Sequence, residues 1–244
     1  MAKGASIKFK SYQETIPKLL GLLNMQKELR KYDSIVLKVS LTGEEESSTS
    51  LDFVESVLDF VMKTKNPVAS VVIAEGADGH DTGELFESMG YQKLAEKHSI
   101  GLIDLNNTEI NEVHNSEFLR FEKIQFPRIL ANSFIISLSK LSDNDEFVFN
   151  GTLSNMLGAY PSKYYKGFFS STKNKIRKGP IKYALHDILK CRMPNFAIMD
   201  ASENGVILAG LPLEIDKQTA KFFQTDWTEL QHLRLIEDSF SPIQ

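Results

Sequence analysis

The chain has 244 residues, of which 42% are hydrophobic and 25% charged, and its formal net charge is −4. This is an ordinary globular composition, which excludes disordered, collagenous and coiled-coil proteins. Its longest apolar stretches, around residues 70–74 and 134–138, are far shorter than the about 20 residues that span a bilayer. We therefore expect that the chain is not an integral membrane protein and that it has no membrane partner.

Cysteine and histidine usage limits the cofactors that the chain can hold. Cys191 is the single cysteine, so neither an internal disulfide, an iron–sulfur cluster nor a multi-cysteine zinc site is expected. The histidines do not show the H-E-x-x-H spacing of zinc enzymes, and no metal site is predicted. The N terminus lacks the apolar run of a secretory signal, and we expect a cytoplasmic protein of unknown cofactor.

The first half of the chain alternates between helical and strand periodicity. A short strand at residues 5–10 precedes an amphipathic helix at 12–32 and a strand at 34–41. Ser50 is expected to cap the next helix, and the β-branched run 70–75 is typical of a parallel strand that is covered on both faces. A glycine-rich loop, one or two short helices and a strand at 100–105 follow. Residues 106–126 are less clear, since alternation at 117–124 favours antiparallel strands.

The second half continues the pattern around one less regular segment. The remaining predicted elements are a turn or short helix at 127–131, a strand at 134–139, a helix at 183–189, strands at 195–200 and 206–209, and helices at 215–223 and 229–236. These elements predict an α/β fold: a mainly parallel sheet flanked by helices, with some antiparallel additions. No linker is long enough to divide the chain, so residues 1–244 are predicted to form a single α/β domain.

Polar residues follow several predicted strands. Ligands of open parallel sheets bind beyond the carboxyl ends of the strands. The polar residues at these ends are Lys38 and Ser40, residues 75–82, residues 140–145, and Asp200 with Glu203. Polar strand ends are equally expected where a chain simply turns in water.

The loop and helix start at residues 75–86 (EGADGHDTGELF) contain three glycines. Backbone N–H groups there could receive an anion, although the segment matches neither the dinucleotide nor the Walker pattern. The spacing of Asp81 and Glu84 favours a helix N-cap over a catalytic acid. His80 is expected to be exposed, with a smaller chance of binding a ligand or donating a proton.

Positive charge is concentrated in one segment. No acidic residue occurs between Gly151 and His186, whereas this segment holds seven of the 28 basic residues, which leaves a net charge of −11 on the remainder. We predict a mobile basic loop or flap at residues 151–182, outside the regular core. Small-anion binding and a merely solvated loop are equally favoured, and nucleic-acid binding through phosphates and the interleaved aromatic residues is less favoured.

Several passages together resemble the family named domain of unknown function 362. They are the strand that ends at Lys38, VVIAEGADGHDTGELFESMGYQKLAEKHSIGLIDLNN, FPRILANSFIISLSKL, GTLSNMLGAYPSKYYK, HDILKCRMPNFAIMDA and ILAGLPLEIDKQTA. Their order and spacing agree with the family over most of the chain. The resemblance implies an α/β fold and a site built from Lys38, Glu75, Thr82, Lys140, Asn155, His186, Asp200 and Asp216.

The chain departs from the family pattern at several motifs. Where the family reads Lys-Pro-Asn this chain has Lys-Val-Ser at 38–40, and where it reads Lys-x-Lys-Thr-His this chain has KLSDN at 140–144. A typical Lys-Asn is Ser-Asn at 154–155, and the Asp-Pro-Val-Ala-x-Asp stretch has changed around a retained Asp216. Loss of lysine and histidine positions indicates that a catalytic function is lost or altered.

Two functional hypotheses follow. In the first, the protein binds or acts on a small anionic metabolite. Glu75 and Asp200 are then candidate proton acceptors, and His186 is the candidate proton donor. Lys38, Thr82, Lys140, Asn155 and Asp216 are the candidate ligand-binding residues. In the second, it is a non-catalytic binding or regulatory protein, with nucleic acid as a less favoured partner. Both place Lys38, Glu75, Lys140 and Asp200 in one cleft.

Overall fold

The computed structural model describes residues 4–240, so residues 1–3 and 241–244 of the predicted domain lie outside the described residues. The strands are β1 (Gly4–Lys8), β2 (Ser34–Lys38), β3 (Ser70–Glu75), β4 (Gly101–Asp104), β5 (Ile110–Val113), β6 (Ile124–Pro127), β7 (Phe134–Lys140), β8 (Asp143–Asn144), β9 (Val148–Phe149), β10 (Phe196–Ala201) and β11 (Val206–Gly210). The α-helices are α1 (Tyr12–Leu22), α2 (Met25–Leu29), α3 (Leu51–Thr64), α4 (Thr82–Ser88), α5 (Tyr91–His98), α6 (Arg128–Ala131), α7 (Ser162–Tyr165), α8 (Ile181–Cys191), α9 (Pro212–Thr219) and α10 (Gln231–Phe240).

Seven strands form the central sheet in the order β1-β11-β10-β7-β2-β3-β4. The five strands from β10 to β4 are parallel. At the β10 edge, β11 pairs with β10 in antiparallel orientation, and β1 pairs in antiparallel orientation with β11. The predicted α/β class, with a mainly parallel sheet and antiparallel additions, is confirmed. None of the helices among residues 4–240 is long and apolar enough to cross a membrane.

The two faces of the sheet are covered by different helices. Helices α1, α2 and α3 pack against one face, where they meet Ile35 and Leu37 of β2. Helices α8 and α10 cover the other face, where they form a core with Val36 and Ile135. Because side chains alternate along a strand, every second residue of each central strand faces the same group of helices.

Two predicted elements are interrupted in the structure. The helix predicted at residues 12–32 is divided by Asn24, whose left-handed backbone (φ 56°) ends one helix and starts the next. Antiparallel strands are present as the pair β5 and β6, but residues 117–123 form no strand. There, Asp187 accepts hydrogen bonds from the backbone N–H groups of Leu119, Arg120 and Phe121. Those donors are therefore not free to pair with a neighbouring strand.

The basic segment at 151–182 differs from the prediction of a flap outside the core. Its buried apolar side chains belong to the core on the α8 side of the sheet: Leu153, Met156, Ala159, Tyr160, Tyr165 and Ile176. Short 3-10 helices at Ser154–Ala159 and Asn174–Arg177 hold it together. Two of its aromatic residues, Tyr160 and Tyr165, anchor the segment, because burying their rings stabilises the fold.

Candidate functional site

A crevice lies where the chain changes direction across the sheet. From β2 the chain continues to β3 and β4 on one side, whereas β7 and β10 lie on the other side of β2. Connections therefore leave the carboxyl ends of β2 and β7 in opposite directions, which is the position at which open α/β sheets bind ligands. Lys38 ends β2 and Glu75 ends β3, so both stand at this edge.

Lys38 is the centre of a buried polar cluster. Its side chain is fully buried, and its Nζ donates to Glu75 Oε2 at 2.9 Å, Asn155 Oδ1 at 2.8 Å and the Val39 carbonyl at 2.8 Å. Burial lowers the pKa of the Lys38 ammonium, and the neighbouring Glu75 carboxylate opposes that change. Since an ammonium group has three N–H donors, Lys38 holds Glu75 and Asn155 in place and has no donor left for a ligand.

Asn155 reaches this cluster from the segment that crosses the sheet edge. Its Nδ2 donates to the Lys38 carbonyl and to Ser137 Oγ, both at 3.0 Å. The same segment is held by Asp216, which accepts from Thr152 N at 2.7 Å and Leu153 N at 2.9 Å. Asp216 therefore positions the segment that carries Asn155, and burial raises the pKa of its carboxyl to about 6 although these hydrogen bonds oppose the shift.

Two glycines allow the backbone to cover the ion pair. A Cβ at Gly158 would lie 2.6 Å from Glu75 Oε1 and 2.8 Å from Lys38 Nζ, closer than real Cβ contacts. A Cβ at Gly76 would collide with the Gly158 carbonyl. Glycine at both positions therefore permits the close approach that leaves Lys38 fully buried and only a small part of Glu75 exposed to the cleft.

Lys173 is a second buried lysine beside the pair. Its Nζ donates to the carbonyls of Gly76 at 2.5 Å and Gly158 at 3.1 Å, and its backbone N donates to Asp78 Oδ1 at 2.6 Å. Burial lowers the pKa of Lys173 to about 8, against the opposing charge of Glu75. Sequence reasoning missed this role, because Lys173 is one of several lysines in its segment and no local motif distinguishes it.

A cleft of about 270 Å³ opens above this cluster. The polar side chains in its wall are Ser40, Thr42, Glu75, Asp78, Asn144, Glu146, Asn150, Ser154, Asn155 and Arg177. Arg177 bridges the mouth, with Nη1 2.5 Å from Asp78 Oδ2 and Nε 2.8 Å from Glu146 Oε1. From the sequence, Arg177 was expected in the basic flap. Nothing in the sequence distinguished Glu146 from the other acidic residues of its turn.

Lys140 and Asp200 do not join the cleft, which is a correction to the expected common site. Phe134, Ile136 and Leu138 of β7 pack with α1 and α3, so the alternation puts Lys140 on that face. Asp200 lies on the same face, where Tyr12 Oη donates to its Oδ2 at 2.8 Å. Lys140 pairs with Glu203 at 3.0 Å.

Thr82 and His186 also lie apart from the pair. Thr82 Oγ1 accepts from Ala77 N at 3.1 Å and Asn106 Nδ2 at 3.2 Å, which shapes the loop after β3. His186 is buried in α8, with Nδ1 2.8 Å from Asp187 Oδ1. Asp81 forms the predicted N-cap of α4 by accepting from Glu84 N at 2.9 Å.

Most of the chain matches one known protein family. Residues 35–206 match the family described as "Domain of unknown function (DUF362)". The chain belongs to this family. The match covers the five parallel strands except the first residue of β2, and it includes the segment that bears Asn155, so the cleft lies within the DUF362 region. No curated protein matches the chain.

The DUF362 chain shows no clustered metal ligands in the part that the structure describes. Among residues 4–240, no three His, Cys, Asp or Glu side chains come together in a way that could hold a metal ion. Cys191 is half-buried, and burial raises the pKa of its thiol to about 12. The thiolate that would coordinate a metal is therefore disfavoured at this position.

Proposed function

We propose that this protein binds a small anionic metabolite in the cleft beside β2 and β7. Arg177 carries the proposal, because its guanidinium bridges two carboxylates in the wall of the cleft that Glu75 and Asn155 also line. A planar guanidinium binds carboxylate and phosphate groups through paired N–H donors. The anionic group of the ligand would take the place of one protein carboxylate on Arg177.

The two carboxylates that bind Arg177 differ in how firmly they are held. Lys38, Lys173 and Arg177 face Glu75, Asp78 and Glu146, so positive and negative charges are equal in number. Asp78 is held by the backbone of Lys173 as well as by Arg177, whereas Glu146 lies in the exposed turn between β8 and β9. Glu146 is therefore the carboxylate that yields to the ligand.

The remaining wall suits hydroxyl and carbonyl groups of a small molecule. Ser40, Ser154 and Asn155 supply short polar side chains, and the volume of about 270 Å³ is at the small end for ligand sites. In a catalytic form of the proposal, Glu75 accepts a proton from the bound metabolite. His186 and Asp200 have no part in this cleft, so neither is used.

The non-catalytic form has its own support. All three Nζ hydrogens of Lys38 are directed to protein oxygens, which is the arrangement of a structural brace. Nucleic-acid binding has less support, because Lys175 donates to the Tyr164 carbonyl at 2.9 Å and Lys182 to Gln231 Oε1 at 2.8 Å. Both ammonium groups therefore already bind oxygen atoms of the protein.

A thermal-shift screen of anionic metabolites, with and without divalent cations, tests the binding. A ligand at 100 times its dissociation constant stabilises by about 2.7 kcal/mol, which raises the melting temperature by about 5–10 °C in a protein of this size. Arg177→Gln should abolish the shift, and the matched surface variant Arg234→Gln should retain it. Glu146→Gln should strengthen binding, since it removes the competing carboxylate. Equal shifts in wild type and Arg177→Gln would refute the proposal.

Once a ligand is identified, Glu75→Gln separates the catalytic form from the binding form. If Glu75 accepts a proton, this variant binds the ligand but does not convert it, whereas the wild-type chain does both. If the protein is only a binder, neither chain converts the ligand. Binding is measured by calorimetry on both chains, after circular dichroism has shown that the variant is folded.

A further inference from the structure

A second cavity lies beyond the loop that follows β3. Its volume is about 480 Å³, and its wall includes three basic side chains: His80, Lys163 and Lys166. Among the described residues, none of these three forms an ion pair with a carboxylate. This differs from the cleft, whose cations are all engaged. The second cavity therefore has positive charge available to an anion.

The acidic residues of the same wall are already occupied. Asp81 Oδ1 accepts from Glu84 N at 2.9 Å, and Asp104 accepts from Asn106 N at 2.9 Å and Asn107 Nδ2 at 2.5 Å. Hydrogen bonds to a carboxylate disperse its negative charge, so these groups compete weakly for the three basic side chains. Ser162 and Ser171 add hydroxyl groups to the wall.

Two adjacent phenylalanines project beside this cavity. Phe168 and Phe169 are 95% and 98% exposed, and they form the tip of a loop between Lys166 and Ser171, both of which line the cavity. The loop is closed at its base, where Ser170 N donates to the Gly167 carbonyl at 3.3 Å. Adjacent aromatic side chains left almost wholly in water mark an interaction surface.

We propose that this surface binds an anionic phospholipid membrane. Phe168 and Phe169 enter the boundary between headgroups and acyl chains, while Lys163, Lys166 and His80 receive a lipid phosphate in the cavity. Peripheral binding of this kind depends on buried apolar area and on attraction of basic residues to anionic lipid. This proposal departs from the expectation of no membrane partner, which was based on the lack of a membrane-spanning segment.

The geometry favours a membrane over the two other anionic partners. The two rings contact each other edge to face, with centroids 4.8 Å apart and planes at 86°. Successive stacked bases lie parallel, so perpendicular rings do not offer both faces to a single-stranded nucleic acid. A free phosphate would use the cavity but would leave both phenylalanines in water.

Vesicle co-sedimentation tests the proposal. The full chain should bind vesicles of phosphatidylcholine with phosphatidylserine and should bind phosphatidylcholine alone only weakly. Removing both charges in Lys163→Gln with Lys166→Gln should weaken binding about 30-fold, since each basic residue near an anionic surface contributes about 1 kcal/mol. Phe168→Ser with Phe169→Ser should abolish binding, whereas Phe222→Ser, at a phenylalanine that is 37% exposed elsewhere, should not.

Three outcomes would overturn the proposal. They are absence of binding to anionic vesicles, binding that the Phe168→Ser with Phe169→Ser variant retains, and binding of inorganic phosphate or single-stranded RNA without vesicle binding. An unchanged melting temperature in the double-serine variant excludes misfolding as the cause of any loss, since both side chains are outside the core. The test is independent of the cleft, because none of the variants alters a residue of its wall.

Discussion

Two polar clusters occupy the carboxyl edge of the same sheet but differ in what surrounds them. Lys38, Glu75 and Asn155 lie below an open cleft, whereas Asp200 is enclosed against Tyr12 of α1. Lys38 belongs to the side of β2 that faces α8, and Asp200 to the side of β10 that faces α1. The position of a residue along a strand therefore identifies the edge, but the alternation of side chains decides which of two environments it enters.

Among the variants that test this comparison, Lys38→Met should cause the largest loss of stability. It leaves the Glu75 carboxylate buried without its cation, which costs about 3–5 kcal/mol of the free energy of unfolding. Urea denaturation followed by circular dichroism measures the loss. Combining it with Glu75→Gln should restore part of the stability, because the unpaired charge is then absent. A double variant as unstable as the sum of the two single variants would contradict the buried pair.

The contribution of Asp216, which positions the segment beside the cleft, to the stability of the protein should depend on pH. Its pKa is raised to about 6, so between about pH 4 and 6 the folded state still holds a proton that the unfolded state has released. The contribution of Asp216 to the free energy of unfolding therefore falls as the pH rises from about 4 to 6. The fall is at most about 3 kcal/mol. His232, whose pKa burial lowers to about 4, acts with the opposite sign in this range. The measurement is therefore the difference between wild type and Asp216→Asn, which should change in favour of the variant as the pH rises. A constant difference would contradict the raised pKa.

Gly158→Ala should disturb the cleft without changing any polar group. The added methyl group meets Glu75 and Lys38, and such overpacking costs about 1–3 kcal/mol. Gly21→Ala is the matched control, because its Cβ meets no atom within 4 Å and it lies in α1, where alanine is favoured by up to about 1 kcal/mol. Thermal denaturation of both variants should show opposite signs. Equal destabilisation would show that the backbone at Gly158 can move aside.

Tyr12→Phe should have the smallest effect, at the second cluster. It removes the hydrogen bond to Asp200 Oδ2, while the Ser202 N–H still donates to Oδ1 at 3.0 Å. The expected loss of stability is about 1–2 kcal/mol, with no change in ligand binding at the cleft. A binding defect measured by calorimetry in this variant would connect the two clusters and revise the comparison.

The sequence by itself determined the alternation of helices and strands, the mainly parallel sheet and its carboxyl edge. These follow from local apolar periodicity, so the run at 70–75 was predicted with the bounds that β3 has. It also brought Lys38, Glu75 and Asn155 to attention, through a family resemblance that the match over residues 35–206 supports.

Only the tertiary structure decided which of the predicted residues meet. Lys38 and Asn155 are 117 positions apart and are joined by a hydrogen bond, whereas Lys140 and Asp200 turn to the other face. The burial of Lys173 and the placement of Arg177 between Asp78 and Glu146 depend on how a segment without clear periodicity crosses the sheet edge. Such contacts arise from packing between distant parts of the chain, which local periodicity and charge counts do not encode.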